Sequence, residues 1–394
     1  MFFLRMAIVL LVLLILPALY LYFRYMHGRR KMRGAAWALC GVTLLLCGWS
    51  IWFVSAGIES GEPQWLCQSF FPVLLGVSLS EIFICLGSIL AWLTKRIPFI
   101  SRMMSGFGWT LAVLNIIMAT MAIFEGNKRV EIAEYSYSSK DLPPEFDGLK
   151  VVHISDLHLG TYGQDTNRVG QLMDKVLEQQ GDVIMFTGDL VNFSYKEAEP
   201  FRAQLARLKA PLGVFSILGN HDYATYAHFD SKREQINDIN NLVALQKECG
   251  WTMLRNQNAL IERDSAQIAV IGVENDGQPP FPQFADLPRA MKGLPQTSQG
   301  APLFKILLTH DPSHWRRAVL SDTDAQLTLA GHTHAMQLKL GTWSPASLIY
   351  REWGGQYYDG ARSLVVSTGL GLGSIPFRYG AWSEVVVITL HKQY

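Results

Sequence analysis

The sequence predicts an N-terminal membrane region of four helices followed by a layered α/β sandwich with mixed sheets. Three observations support this prediction. Four long apolar stretches occupy the first third of the 394 residues. From about residue 149, short apolar runs typical of buried strands alternate with helical patterns and then give way mostly to strands. Five of these runs end in residues that can bind metals, and ligand sites lie at the carboxyl ends of strands in such folds.

The four apolar stretches have the length of transmembrane helices. About 20 apolar residues cross the hydrocarbon core of a bilayer. Residues 6–23, 35–58, 70–93 and 107–124 meet this requirement. The first stretch has a single basic residue, Arg5, in front of it, and the small residues of a cleavage site are absent before Arg24. We therefore interpret it as a retained span and not as a signal peptide. We therefore predict a transmembrane domain over residues 1–126.

Basic residues in the short loops predict the orientation of this domain, because cytoplasmic loops carry an excess of Lys and Arg. The second loop, residues 59–69, has neither. The first loop has Arg24, Arg29, Arg30, Lys31 and Arg33, and the third has Lys95, Arg96 and Arg102. Loops one and three are thus predicted to be cytoplasmic, with everything after residue 124 outside. Lys128 and Arg129 argue against this orientation, but acidic residues accompany them.

Glu81 lies within the third predicted span, where an ionisable side chain is costly and often functional. The alternative is that it faces another helix and pairs there. Small residues nearby, including Gly76 and Gly87, favour a close helix contact.

Composition limits the remaining possibilities. The formal net charge of +1 gives no indication of a nucleic-acid partner. Of five cysteines only Cys249 lies beyond the apolar third, which leaves no disulfide framework or cysteine metal site there. Residues 127–148 are polar and include Pro143 and Pro144, so we predict a linker with little regular structure. Residues 149–394 then form the globular domain, in which residues 336–340 are also predicted to be a strand.

Candidate metal ligands follow the predicted strands over residues 151–154, 183–186, 214–218, 304–308 and 326–329. The ligands are Asp156, His158, Asp189, Asn220, His310, His332 and His334. Nitrogen and oxygen donors without a thiolate suit Mn, Fe or Zn. Seven donors exceed the number that one catalytic ion needs, which is about three. A shared Asp189 would divide them into two sets of four, and this predicts a pair of divalent ions able to clamp a phosphoryl group.

The order Asp156-x-His158, Gly188-Asp189, Gly219-Asn220-His221-Asp222, His310 and Gly331-His332-x-His334 resembles the calcineurin-like metallophosphoesterase superfamily across residues 149–394. Residues 146–160 and the tail over residues 367–378 are similar to its membrane-bound bacterial branch. The resemblance implies an αββα sandwich and a location in the bacterial inner membrane. The orientation predicted from the loop charges makes the catalytic domain extracytoplasmic.

The resemblance also implies roles for individual residues. One ion would be held by Asp156, His158, Asp189 and His334, and the other by Asp189, Asn220, His310 and His332. Mn is the first expectation for both ions, with Fe or Zn as alternatives. His221 would act on the leaving oxygen as general acid, oriented by Asp222. Supporting roles are expected for His153, Asp165, His228, Asp311 and His314.

Aromatic, aliphatic and basic residues follow Gly331-His-Thr-His334, a combination typical of membrane interfaces. They are Trp343, Leu348, Ile349, Tyr350, Arg351, Trp353, Tyr357, Tyr358 and Arg362, followed later by Phe377, Arg378, Tyr379 and Trp382. They are either ordinary loop core and surface or a lip that contacts lipid headgroups. The lip favours a membrane lipid or lipid-linked phosphate as substrate. The sequence lacks the Asp-Arg-Gly turn that is found in the protein phosphatases of the superfamily. It also lacks a basic, aromatic-interleaved stretch of the kind that binds nucleic acid.

The predicted function is therefore a membrane-anchored, dinuclear-metal phosphohydrolase that cleaves a phosphate ester or pyrophosphate bond. One alternative is a membrane sensor or scaffold that binds metal or a phosphorylated ligand without turnover. A second is a transporter formed by the four spans, for which Glu81 is weak support.

Overall fold

The computed structural model describes residues 2–53, 64–126, 128–295, 303–373 and 377–394, without the side chains of residues 2–7 and 64–68. Residues 59–63 of the predicted second loop, residues 59–69, therefore lie outside the described residues, and residues 64–69 belong to the helix that begins at Gln64. The chain forms two compact units. The first comprises residues 1–128 with 375–379, and the second comprises residues 129–374 with 380–394.

The first unit contains four long helices that match the four predicted spans. They are α1 (Phe2–Leu21), α2 (Arg33–Trp52), α3 (Gln64–Leu93) and α4 (Pro98–Glu125). All four are long and apolar enough to cross a membrane. Helix α4 begins at Pro98 and not at residue 107, because proline is well suited to the first helical position. Many large apolar side chains on these helices are exposed, as expected of surfaces that face lipid.

Helices α3 and α4 pack closely through small and polar residues. A Cβ atom on Gly87 would approach the Cα atom of Gly108 to 2.8 Å, so the two backbones are in contact. The Nδ2 atom of Asn115 donates to the carbonyl oxygens of Leu75 and Gly76, both at 3.1 Å. Glu81 is buried, and its Oε2 atom has no hydrogen-bond partner among the described residues. The predicted pairing of Glu81 with another helix is therefore not seen at this oxygen.

The second unit contains two six-stranded mixed sheets. The first sheet has the order β1-β12-β2-β3-β4-β5, formed by Val130–Ser139, Ser383–Lys392, Lys150–Ile154, Val183–Phe186, Val214–Ser216 and Thr252–Met253. The second has the order β10-β11-β9-β8-β7-β6, formed by Gly355–Asp359, Arg362–Val366, Leu327–Ala330, Lys305–Leu308, Ala266–Gly272 and Gln257–Arg263. Strands β2, β3 and β4 are parallel neighbours, and so are β7, β8 and β9.

Three apolar layers confirm the αββα sandwich. Between the sheets, Val151 and Met185 of the first pack in one core with Ile306 and Leu308 of the second. A second core joins the other face of the first sheet to α5 (Thr166–Leu177), α6 (Arg202–Leu205) and α7 (Lys232–Glu248). A third joins the other face of the second sheet to α8 (Leu287–Met291) and the turn that precedes α9 (Leu320–Asp322). Because the central strands are covered on both faces, most of their residues are apolar on both faces.

Two local predictions are wrong. The predicted linker over residues 127–148 contains β1, which pairs along its length with β12. Polar composition hid a period-two pattern in which Tyr135 and Tyr137 alternate with polar residues. The predicted strand over residues 336–340 is a series of turns, because Ala335, Met336 and Gln337 all have positive φ angles. Left-handed residues cannot continue a strand.

Strand β1 gives a testable prediction about the boundary of the globular unit. Tyr137 is almost fully buried, packs in the core between the sheets, and donates its hydroxyl to the carbonyl oxygen of Ala361 at 2.7 Å. Tyr137→Ala should lower the free energy of unfolding by about 3–5 kcal/mol, as other large aromatic deletions in cores do. Tyr394→Ala, which removes a tyrosine that is 93% exposed, is the matched control. Urea unfolding of both variants measures the difference, and equal midpoints would show that β1 does not belong to the core.

Candidate metal centre

The carboxyl ends of five strands bring all seven predicted ligands to one place. The first sheet contributes Asp156 and His158 after β2, Asp189 after β3 and Asn220 after β4. The second sheet contributes His310 after β8 and His332 and His334 after β9. The parallel neighbours within each sheet end at the same edge, and the two edges lie side by side.

Asp156, His158 and His334 form the first cluster. The Nε2 atom of His334 lies 3.2 Å from Oδ1 of Asp156 and 3.0 Å from Nε2 of His158. All three groups are buried or half-buried. Two imidazole nitrogens that face each other at this distance repel unless a proton or a cation lies between them. This arrangement fits a divalent ion with carboxylate and imidazole ligands.

Asp189, Asn220, His310 and His332 form the second cluster. The Nε2 atom of His310 lies 3.1 Å from Oδ2 of Asp189 and 3.1 Å from Oδ1 of Asn220. The Nδ1 atom of His332 lies 2.8 Å from the same Asn220 oxygen. Oxygen and nitrogen donors thus point at one another across a buried space, as they do around a bound cation.

Asp189 joins the two clusters. Its Oδ2 atom, 3.1 Å from His310, is also 3.7 Å from Nε2 of His158, which belongs to the first cluster. Its Oδ1 atom accepts a hydrogen bond from the backbone N–H of His221 at 2.8 Å. The side-chain carboxylate therefore occupies the position that a bridging ligand between two ions would need.

The electrostatics of the site favour cation binding. Burial acts to raise the pKa of Asp156, but the charges of His334, His310 and His158 hold it well below its ordinary value. Burial also opposes ionisation of Asp189, yet His310 and His221 lower its pKa. Burial, followed by the neighbouring His221, lowers the pKa of His158 to about 3. Ionised carboxylates and a neutral His158 are the protonation states that metal ligands require. Burial opposes protonation of His310, but the Asp189 carboxylate raises the pKa of His310 to about 10, so this ligand would lose a proton when an ion binds.

Hydrogen bonds to the outer nitrogens orient the histidines, and the sequence did not indicate these partners. The Nδ1 atom of His158 lies 2.7 Å from Oδ1 of Asn192, and Nδ1 of His310 donates to the carbonyl oxygen of Thr187 at 2.7 Å. The hydroxyl of Tyr350 lies 2.9 Å from Nε2 of His332. Such partners fix the tautomer and direction of a ligand ring. The only signal for Asn192 was its position three residues after Asp189.

The backbone at five predicted ligands is left-handed. The φ angles are 56° at Asp156, 47° at His158, 58° at Asp189, 73° at His332 and 48° at His334. A residue other than glycine is destabilised by about 1–3 kcal/mol when its backbone adopts this conformation, and such strain is concentrated at functional sites. Close approach adds a second requirement, because a Cβ atom on Gly331 would overlap Ser155 and the Asp156 carboxylate.

His221 and Asp222 lie beside the clusters, but the predicted contact between them is absent. The Nδ1 atom of His221 donates to the backbone carbonyl of Asn192 at 2.8 Å, which leaves Nε2 for chemistry. The Asp222 carboxylate instead accepts from the backbone N–H groups of Gly219, Asp189 and Leu190 at 2.8–2.9 Å. The prediction that Asp222 orients His221 is therefore wrong. A carboxylate surrounded by backbone donors binds them in preference to a nearby imidazole, and here Asp222 fixes the turn that carries Asp189.

The other residues near the predicted strands have structural positions. Asp165 caps α5 by accepting from the backbone N–H of Arg168, and His228 is exposed. His153 is buried with Nε2 2.8 Å from the Thr187 hydroxyl. His314 lies 3.0 Å from the Thr309 hydroxyl. Asp311 stands closest to the site, since its Oδ2 atom lies 3.5 Å from Nε2 of His332.

The two-sheet fold and the paired clusters are those of a dinuclear metallohydrolase. Residues 149–336 match the family model described as calcineurin-like phosphoesterase. The chain is 31% identical over 278 residues to the "Uncharacterized metallophosphoesterase YkuE" of Bacillus subtilis (strain 168), covering 66% of this chain and 85% of that protein. The chain therefore belongs to the calcineurin-like metallophosphoesterase family and is a metal-dependent phosphoesterase. This family uses a dinuclear centre of divalent metals.

A second relative matches the membrane region as well. The "Transmembrane protein with metallophosphoesterase domain" of Danio rerio is 27% identical over 404 residues, covering 96% of this chain and 87% of that protein. Together with the four apolar helices, it indicates that this chain is a membrane protein. Among solved structures, the NAD nucleotidase (NadN) of Haemophilus influenzae has a TM-score of 0.36 at 15% identity, covering 56% of this chain and 45% of that one.

The tail singled out over residues 367–378 includes residues 374–376, which lie outside the described residues.

The Asn192 side chain gives a prediction about metal affinity. Asn192→Ala removes the acceptor that holds Nδ1 of His158 and should weaken metal binding about 10–100-fold, as loss of such partners does in other metal sites. Asn192→Asp keeps an acceptor at the same place and should retain most of the affinity. Titration of the metal-free protein with Mn²⁺ checks both variants. Equal affinity of Asn192→Ala and the wild type would show that Asn192 does not support the site.

Proposed function

We propose that this protein hydrolyses a phosphate ester or pyrophosphate bond of a membrane lipid or lipid-linked substrate, with two divalent ions bound at the paired clusters. Asp156, His158 and His334 would hold one ion and Asn220, His310 and His332 the other, with Asp189 shared. The observation that carries the proposal is the position of the Asp189 carboxylate between the two clusters. Mn²⁺ is the proposed ion for both sites.

The ions, when bound, would polarise the phosphoryl group, and His221 would assist the leaving group. Because Nδ1 of His221 donates to the Asn192 carbonyl, Nε2 is the nitrogen that can carry a proton to the leaving alkoxide as the P–O bond breaks. A positioned general acid contributes typically about 10²–10⁴-fold to the rate. Asp222 acts indirectly, by holding the backbone of Asp189.

Aromatic side chains around the clusters support a lipid-linked substrate. The Tyr226 ring lies 4.5 Å from the His221 ring, and the Phe281 ring lies 4.8 Å from the His332 ring. Tyr226 is about half exposed, and so is Phe284, whose ring packs against Tyr223. Apolar rings beside a phosphoryl site suit a substrate that carries an acyl or prenyl chain. The membrane helices of the same chain would keep the site near such substrates.

Hydrolysis is tested with bis(4-nitrophenyl) phosphate and with lipid extracts, with and without Mn²⁺. Asp189→Asn should abolish divalent-dependent turnover because it removes the shared carboxylate. His221→Ala should retain its metal content, measured by inductively coupled plasma mass spectrometry, but lose about 10²–10⁴-fold in turnover. His228→Ala removes an exposed histidine and is the control.

Full turnover by Asp189→Asn would exclude the proposed enzyme. A wild-type protein that binds two ions but hydrolyses neither the aryl phosphate nor any extracted lipid would instead support the sensor or scaffold. Higher occupancy and turnover with Zn²⁺ or Fe²⁺ than with Mn²⁺ would overturn the proposed ion.

We further propose that the enzyme lies in the bacterial inner membrane with its globular unit outside the cytoplasm, since the first and third loops are rich in Lys and Arg. Gln171 is exposed on α5, so Gln171→Cys provides a thiol for labelling. A membrane-impermeant maleimide should label this variant in intact spheroplasts as fully as after lysis. Labelling that requires lysis would place the globular unit in the cytoplasm.

A further inference from the structure

Exposed apolar residues of the globular unit are concentrated in one short segment. Residues 336–349, here called the lip, contain five large apolar side chains that are 43–78% exposed: Met336, Leu340, Trp343, Leu348 and Ile349. Elsewhere in the described part of this unit, Ile132, Ile236 and Leu260 are exposed on separate elements, and Tyr226 is exposed beside His221. Scattered exposed apolar residues are normal, whereas five within one short segment make it a candidate binding surface.

Hydrogen bonds hold the lip in a defined shape. Leu340 and Trp343 exchange two backbone hydrogen bonds, at 2.8 and 3.2 Å, around a turn in which Gly341 has a φ angle of 62°. Pro345 and Ala346 open a short helix whose first turn is capped by Ser344. Ser344 is fully buried, so the exposed side chains stand on a buried base. Because this backbone is already held by hydrogen bonds, binding through the apolar side chains would cost the lip little further backbone conformational entropy.

The lip carries one basic residue, Lys339, and no Asp or Glu. Arg351, whose side chain is 76% exposed, follows the lip, and its Nε atom lies 3.6 Å from the carboxylate of the buried Glu352. A basic, apolar surface that includes an exposed tryptophan complements the anionic headgroups and the interfacial region of a bilayer.

Both ends of the lip connect to the metal centre. The lip begins two residues after His334, and Ser344 donates its hydroxyl to the backbone carbonyl of Ala335 at 2.6 Å. It is followed directly by Tyr350, whose backbone N–H donates to the carbonyl oxygen of Ala346 and whose hydroxyl lies 2.9 Å from Nε2 of His332. Short covalent and hydrogen-bonded paths therefore join the lip to two candidate metal ligands, His334 and His332.

We propose that the lip docks onto an anionic phospholipid surface and presents the metal centre to phosphate groups there. The proposal rests on the proposed function for what the site then does, but the docking itself is a separate property. A bilayer is the chosen occupant because the same chain carries four helices able to span one, which keeps the effective concentration of lipid around this unit high. Trp343 and the basic residues also suit headgroups better than they suit an apolar protein groove.

The test follows Trp343 in the full chain. Protein labelled with 5-fluorotryptophan is placed in nanodiscs of phosphatidylcholine with about a quarter phosphatidylglycerol, an order-of-magnitude match to anionic membranes. The ¹⁹F resonance of Trp343 is assigned by its loss in Trp343→Phe. Adding a headgroup-region spin-labelled lipid should broaden this resonance at least twofold, and less in discs of phosphatidylcholine alone.

Two variants make the test specific. The double variant Leu348→Ser with Ile349→Ser should lose most of the broadening, and its ratio of lipid to bis(4-nitrophenyl) phosphate turnover should fall about tenfold, the size expected when exposed apolar groups lose a bilayer contact. Ile236→Ser removes a residue that is 47% exposed on α7 and should leave the broadening and the ratio unchanged.

A Trp343 resonance that spin-labelled lipid does not broaden would overturn the docking. A resonance that shifts with protein concentration instead would assign the lip to contact between two copies of the chain. Neither result depends on turnover, whereas loss of the proposed function would appear as unchanged hydrolysis in Asp189→Asn. The two failures are therefore distinguishable.

Discussion

The Asp189 carboxylate is the group on which the rest of the site depends. It lies within 3.1–3.7 Å of histidines from both clusters, and its backbone is left-handed with a φ angle of 58°. Asp222 holds this turn by accepting from the N–H groups of Asp189 and Leu190, and it also accepts from the N–H group of Gly219 in the loop after β4. One buried carboxylate therefore joins the loops after two strands and aims a second carboxylate into the space between the clusters. A side chain at Gly219 would collide with Asp189, so this closeness requires glycine.

The energetic consequence is a site that stores strain and is completed by cations. At about 1–3 kcal/mol each, five left-handed ligand residues cost an amount comparable to the net stability of a typical domain. Buried carboxylates and facing imidazole nitrogens add to this cost. Strands β2, β3, β8 and β9 are almost completely buried. Packing of these strands therefore fixes where each one ends and offsets the cost of the strained ligand residues. Binding of divalent ions would then stabilise the folded state by mass action.

The sequence was sufficient for the positions of the ligands but not for the groups around them. Asp156, Asp189 and His310 each follow an apolar run, and parallel neighbours end at one edge, so their convergence was predictable. Asn192 and Thr187 were not, because a loop amide and a backbone carbonyl have no distinguishing pattern. The aromatic, aliphatic and basic residues that follow His334 were left between core and surface, and both alternatives apply. Trp343 and Leu348 are exposed, whereas Arg362 donates to the carbonyl oxygens of Val319, Leu320 and Ala325 and has a structural role.

The misassigned segments have one cause in common, which is that tertiary contacts outweighed local composition. Strand β1 is polar and follows the membrane region, yet it pairs with β12 from the other end of the chain. Residues 336–340 are apolar enough for a strand, but the requirement to turn His334 towards Asp156 forces left-handed backbone through Gln337. In both places a contact with a residue distant in sequence determines the backbone conformation. Such a contact cannot be read from the residues of the segment alone.

An enzyme attached to a bilayer needs little binding energy from its own pocket. The membrane helices and the lip would supply proximity to lipid, which raises the effective concentration of substrate without any contact to the reacting phosphorus. Interactions at the metal centre can then be reserved for the transition state, where they increase the rate and not merely the affinity. This division of labour would account for tightly determined ligand geometry at His332 and His334 beside exposed apolar residues that follow them. The same backbone segment leads from the chemistry to the surface where the substrate would lie.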